Sequence, residues 1–157
     1  MTAGWTQHEA DAWIGLLETH KQVTRALEVE LDAAHGLGLS TLELLGRLKA
    51  AGDDWPRLSA LARETGLSLS RVSRHMDALE RRGLVRRRAC ATDARAVEAH
   101  LTDAGLAVVD AAEAAHAEAV RERFLSQLSD EEAATLARVF ARFAPRAAEA
   151  CAAVTSE

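Results

Sequence analysis

Two arginines three residues apart, Arg71 and Arg74, stand among three hydroxyl residues, Ser68, Ser70 and Ser73. A guanidinium is a rigid fork of donors that grips either a guanine edge or a phosphate. Serine is short enough to let the backbone come close, and its hydroxyl can donate to phosphate oxygens. A second constellation lies downstream, where Arg86, Arg87, Arg88 and Cys90 precede Asp93 and Arg95. Arg87 is a further candidate phosphate contact, its alternative being to balance Glu80 or acids of the flanking helices, and Asp93 is spaced to hold Arg95 by an ion pair. Cys90 is a candidate redox thiol, because nearby positive charge lowers a thiol pKa; its alternative is an ordinary loop cysteine. From Arg57 to Arg95 ten arginines stand against four acids, so this segment is +6, the whole chain is −5 and the remainder is −11. A basic module in an acidic protein is the electrostatic footprint of a nucleic-acid-binding surface.

The elements that must position these residues follow from local signals. Leu58, Leu61 and Ala62 begin a helix, Thr65-Gly66-Leu67 makes a turn, and Ser68 is an N-cap for a second helix reaching Arg82 and stopping at Gly83. On that helix Val72, Met76 and Leu79 share the inward face, while Ser70, Arg71, Ser73, Arg74 and Asp77 point elsewhere. Leu84 to Arg88 begins a strand, and Val97, Ala99 and Leu101 alternate with Glu98 and His100 in a half-buried return strand. Residues 89–96 are then the connecting loop. Helix, turn, helix and basic hairpin make a winged helix-turn-helix. Such a helix offers its N-terminal residues to base edges in the major groove, and Arg95 near the wing tip suits a minor groove.

Long amphipathic helices flank this module. Thr6 and Glu9 fit a capping box, and Trp13, Leu16, Leu17, His20, Val23, Leu27, Leu31 and Ala34 mark one face up to a stop at His35-Gly36. Ser40 to Glu43 has the form of a second capping box, opening a short helix that ends near Gly52, and Ser129 to Glu132 that of a third. Thr102-Asp103 starts a helix with Leu106, Val109, Ala112, His116, Val120 and Phe124 on one side. The last helix carries Leu136, Val139, Phe140, Phe143, Ala147, Ala150, Cys151 and Val154, with a bend or break at Pro145. Lone helices cannot bury such stripes. Pairing with a second copy solves this, and supplies the two-fold symmetry that palindromic sites need. The expected fold is therefore mainly α with a small β-wing: one domain, 1–157, with dimerisation helices in 6–35 and 106–154 and a winged helix-turn-helix DNA-binding module in 38–105.

Composition narrows the remaining classes. Hydrophobic content of 48% argues against disorder. No apolar run is long enough for a bilayer, and residues 1–5 lack the pattern of a secretory signal, so the expected setting is cytoplasmic. Cys90 and Cys151 fit no metal spacing, and Glu113-x-x-His116 has no second copy, so no metal is expected. No nucleophile stands beside a base, and there is no glycine-rich phosphate loop; neither enzyme nor cofactor is expected.

The run from Leu58 to Ala62 and from Ser68 to Val85, followed by Asp93-Ala94-Arg95 and Leu101-Thr102-Asp103-Ala104-Gly105, resembles the MarR family of bacterial regulators. The wing signature of that family is Asp-x-Arg and then Leu-Thr-x-x-Gly; Ala94 departs from it where a second wing arginine often stands. The flanking helices match as well, so the resemblance covers nearly the whole chain. It implies a homodimeric regulator of double-stranded DNA, a repressor that answers to a small aromatic or phenolic effector. Members bind such effectors between dimer helices and winged module, where Trp13, His20 and Trp55 are the candidate lining; packing roles are the alternative for all three. Some members sense oxidants through a cysteine of the first helix, which this chain lacks, leaving Cys90 as the thiol candidate. A protein that kept this fold but lost DNA binding would have lost its arginines, and Arg71, Arg74 and Arg95 are present.

Overall fold

A computed structural model describes residues 4–143. The elements run α1 (Gln7–His35), α2 (Leu39–Ala50), α3 (Leu58–Thr65), α4 (Leu69–Arg81), β1 (Val85–Cys90), β2 (Asp93–Leu101), α5 (Asp103–Arg123), a 3₁₀ turn (Leu125–Gln127) and α6 (Asp130–Phe140). Mainly helical architecture with a two-stranded antiparallel wing is as the sequence implied. Pro145 and the apolar positions Ala147, Ala150, Cys151 and Val154 lie outside the described residues.

Helix ends follow their local chemistry with one exception. Thr6 and Glu9 close a capping box on α1: the Glu9 carboxylate accepts from Thr6 N at 2.7 Å, and Thr6 Oγ1 accepts from Glu9 N at 3.3 Å. Gly36 ends the helix in the left-handed region, at φ 61°. Ser129 and Glu132 form the same box on α6. The box expected at Ser40 does not form. Helix α2 begins at Leu39 with Gly38 as N-cap and no side-chain cap. Ser40 and Thr41 are already inside the first turn, and Thr41 Oγ1 lies 3.0 Å from His75 Nδ1 instead.

Strands β1 and β2 pair Val85 with Leu101 through Ala89 with Val97, and the register then breaks so that Cys90 meets Asp93. The hairpin is therefore longer than expected. Residues anticipated as a loop from 89 onward are mostly strand, and only Ala91 and Thr92 connect them. Arg57 bridges Glu98 on the far side of β2, and Ala99 N donates to Pro56 O at 3.1 Å, so the chain before α3 edges the wing. Thr102 caps α5 from the end of β2, accepting from Gly105 N and donating to Gly83 O at 2.7 Å. Gly105 must be glycine: a Cβ there would lie 2.0 Å from the Leu84 carbonyl oxygen.

One apolar core unites these pieces. Leu44, Leu45, Leu48, Leu61, Val72, Met76, Leu79, Val85, Ala99, Val109 and Ala112 are at most 2% exposed. From α1 only Leu27 and Leu31 are buried, and α6 contributes no buried residue. Trp13, Ile14, Leu16 and Leu17 on α1, Leu106 on α5 and Phe140 on α6 are each 43–51% exposed. The apolar stripes of the flanking helices are thus largely uncovered in a single chain.

Candidate nucleic-acid interface

Helix α4 is fixed to the core by its apolar face and capped at its free end. Val72, Met76 and Leu79 are at most 1% exposed. Ser68 Oγ accepts from Arg71 N at 3.4 Å and lies 3.1 Å from Ser70 Oγ. Arg71 and Arg74 are both exposed, and Arg74 Nε donates to the Ser70 carbonyl at 3.4 Å, which lays its side chain back along the first turn. Ser68 and Ser70 are exposed beside them, with Ser73 half-buried. His75 lies behind the arginines. Its burial, and then the charges of Arg71 and Arg74, hold its pKa below the usual 6.5, so it stays neutral and bonds Thr41.

The ten arginines of the basic segment divide into two groups once the fold is known. Arg87 is tied into the protein: its guanidinium pairs with Asp77 and, at 2.6–2.9 Å, with Glu80, whose other oxygen accepts from Arg87 N. Its charge is already answered, which works against the expected phosphate role. Arg82 donates to the Gly36 and His35 carbonyls at 2.8 and 3.0 Å, satisfying orphan groups at the end of α1. Arg88 pairs with Glu98 at 2.9 Å. Arg57 donates to Cys90 Sγ at 3.4 Å and to Thr92 Oγ1 at 3.2 Å. Arg63, Arg71, Arg74, Arg81, Arg86 and Arg95 are exposed and make no ion pair among the described residues. Arg95 differs from expectation in one respect. Asp93 Oδ1 accepts from the Arg95 backbone N–H at 3.1 Å rather than from the guanidinium, so it shapes the turn and leaves the exposed side chain without that ion pair.

Trp55 does not join Trp13 and His20. It stacks on His100, with ring centroids 5.0 Å apart, and Arg88 lies 4.1 Å from its ring centroid. It is a prop beneath the wing, because the turn before α3 packs against β2. Trp13 and His20 do line one cleft, of about 870 Å³, together with Leu16, Phe124, Leu136 and Phe140. Cys90 is a strand residue, 7% exposed, rather than a loop cysteine. The Thr92 hydroxyl, with smaller help from the Thr92 backbone and Arg57 and against the opposing effects of Glu98 and burial, holds its thiol below its ordinary pKa. Glu113 is engaged by Lys49 Nζ at 2.6 Å, and His116 Nδ1 is buried without a hydrogen-bond partner among the described residues. There, no group of three potential ligands is arranged for a metal, and no helix is long and apolar enough to cross a membrane.

A capped helix presenting arginines beside a basic hairpin defines a winged helix-turn-helix DNA-binding protein. The MarR family profile matches residues 35–96. The solved structure of AbsC, a MarR family transcriptional regulator from Streptomyces coelicolor, is 32% identical; the match covers 92% of this chain and 97% of that one, with a TM-score of 0.82. Sco3205, another regulator of that family from the same organism, solved in complex with DNA, is 28% identical over 89% of this chain and 88% of that one, also at 0.82. PcaV from Streptomyces coelicolor, solved with its natural ligand, is 22% identical over 90% and 94%, with a TM-score of 0.68, a likeness of fold. No curated protein sequence matches significantly. The chain belongs to the MarR family of transcriptional regulators.

Proposed function

We propose that this protein is a homodimeric repressor that binds a pseudo-palindromic site in double-stranded DNA and releases it when a small molecule binds. One observation carries the DNA reading: Arg71 and Arg74 stand exposed in the first turns of α4 with no acidic partner among the described residues, while four neighbouring arginines are used to build the module. Arg95 on the wing extends the same surface. Sco3205, alike in fold and family, is known in complex with DNA. Homodimerisation is supported by the uncovered stripes of α1, α5 and α6. A dimer would set two copies of α4 about one helical turn apart, roughly 34 Å. A ligand response is supported by the apolar cleft holding Trp13 and His20, between the N-terminal half of α1 and α6. An aromatic acid or phenol fits its rings and its single imidazole. Such a ligand releases DNA only by its differential affinity for the two spacings of α4, typically about 1–3 kcal/mol.

The test is selection of bound duplexes from a random pool, followed by titration of variants. Arg71→Ala or Arg74→Ala should cost about 1–3 kcal/mol where the arginine reads a base, and should relax selectivity at that position. Unchanged affinity in both variants would remove α4 from the recognition role.

A second reading, a thiol switch, is favoured by the depressed Cys90 thiol beside Arg57. Release of DNA by mild peroxide, abolished in Cys90→Ser, would replace the small-molecule reading.

A further inference from the structure

Helix α4 has four large apolar residues, and three of them are buried to within 1% of full cover. The fourth, Leu69, is 53% exposed. It occupies the first helical position, directly after the N-cap Ser68, and its neighbour Ser70 is exposed too. Among the described residues Leu69 belongs neither to the apolar core nor to the side chains packed against it. The residue before the cap, Leu67, already packs against the core and serves the helix entry. Leu69 also belongs to none of the three helices whose apolar stripes are proposed to meet a second copy. An exposed leucine therefore stands at the end of α4 that the DNA-binding reading places deepest in the major groove, between two hydroxyls and two positions before Arg71.

The major groove offers polar edges at every base pair and one apolar group, the 5-methyl of thymine. A leucine brought against guanine or cytosine edges would desolvate donors and acceptors without replacing their hydrogen bonds, which is unfavourable. Against a thymine methyl it removes apolar surface from water on both sides. We propose that Leu69 is a specificity residue that selects thymine in each half-site through its 5-methyl group. The inference rests on the DNA-binding reading and adds the base class that this position takes.

Deoxyuridine lacks only that methyl, so it isolates the contact. The experiment takes the duplex selected by the full-length wild-type protein and replaces each thymine of the half-site with uracil, one symmetric pair at a time. At one position the wild type should lose about fourfold per half-site, or about fifteenfold for the pair, the worth of one buried methyl. Leu69→Ala should bind the thymine duplex more weakly and be indifferent to uracil at that position. Leu69→Met, which keeps an apolar reach, should retain the sensitivity. Because Leu69 is exposed, the thermal melts of all three proteins should coincide, and a variant that melts early would be replaced by Leu69→Gln in the comparison. Sequence-specific binding indifferent to uracil at every thymine, or an equal penalty in Leu69→Ala, overturns the leucine assignment alone. Failure of the wild type to prefer any duplex overturns the DNA-binding reading and this inference with it.

Discussion

At the scale of single residues, the same side chain serves opposite purposes according to what stands beside it. Arg95 and Arg87 are both wing arginines, yet Arg87 is only 24% exposed and carries two carboxylates. Removing Arg87 leaves Asp77 and Glu80 facing each other. Both acids are more than a third exposed, so solvent screens much of the loss. Arg87→Ala should therefore lower unfolding stability by about 1 kcal/mol. It should leave the salt dependence of DNA binding unaltered, whereas Arg95→Ala should shallow that slope by about one without changing the urea midpoint. A shallower slope in Arg87→Ala would return that residue to the interface. His75 makes a second residue-scale prediction. Its folded pKa lies below the unfolded value of 6.5, so the unfolded chain binds the extra proton more readily. The stability it contributes is fully present above pH 6.5 and is lost as pH falls through the folded value. Urea melts between pH 8 and 5 should show this decline in the wild type and a flatter profile in His75→Gln. Acid losses from Glu9, Glu98 and Glu132, whose pKa values are lowered from 4.5, come at lower pH.

At the scale of elements, α4 is held at its middle and just past its C-terminus by contacts to other helices. Thr41 of α2 meets His75 in its middle, and Arg82 just beyond its C-terminus clamps the last carbonyls of α1. The Arg82 clamp joins the helix proposed to read DNA to a helix proposed to meet the second copy, which makes it a joint between the two functions. Arg82→Ala should cost about 1 kcal/mol, the worth of charged donors at an exposed helix C-terminus. Hydrogen exchange should quicken at residues 35–38 while the core of α4 stays protected. Unaltered exchange there would mean the clamp holds nothing in solution. Gly105 shows the same interdependence: α5 starts in direct contact with the Leu84 carbonyl, so the wing and the long helix share one fixed junction.

At the scale of the whole molecule, the core is concentrated in the winged module and the parts of α1 and α5 nearest it, leaving the outer helices half-covered. Trp13, Leu16, Leu17, Leu106 and Phe140 are large apolar side chains left exposed on α1, α5 and α6, the kind of exposure that suits a protein–protein contact. Sedimentation at micromolar concentration should give twice the mass of one chain. Leu17→Glu should shift it toward monomer and abolish binding to the two-half-site duplex together with dimerisation. A stable wild-type monomer that binds DNA fully would refute the paired arrangement. Trp13, Leu16 and Phe140 of this set also line the proposed ligand cleft, so occupancy and subunit geometry are expected to be linked.

Some of this was settled within the chain's local stretches, and some only by long-range meeting. Caps at Thr6, Ser68, Thr102 and Ser129, the stop at Gly36, the buried face of α4 and the basic segment were legible because each depends on residues within four positions or on simple charge counting. The failed cap at Ser40 shows the limit of that reasoning: a capping pattern competes with the backbone that leads into it, and Gly38 began the helix earlier. The division of the arginines was not legible, because Arg82 finds its acceptors 46 and 47 positions away, and Arg57 meets Cys90 across 33. Nor was the placement of Trp55 under the wing, since His100 lies in a strand whose register was set by pairing. Local sequence determined which elements form and where the positive charge is concentrated, since capping, periodicity and charge act over a turn or a segment. Tertiary structure decided which of those charges remain available and which apolar side chain of α4, Leu69, is left facing outward, because only packing determines what each group must spend its interactions on.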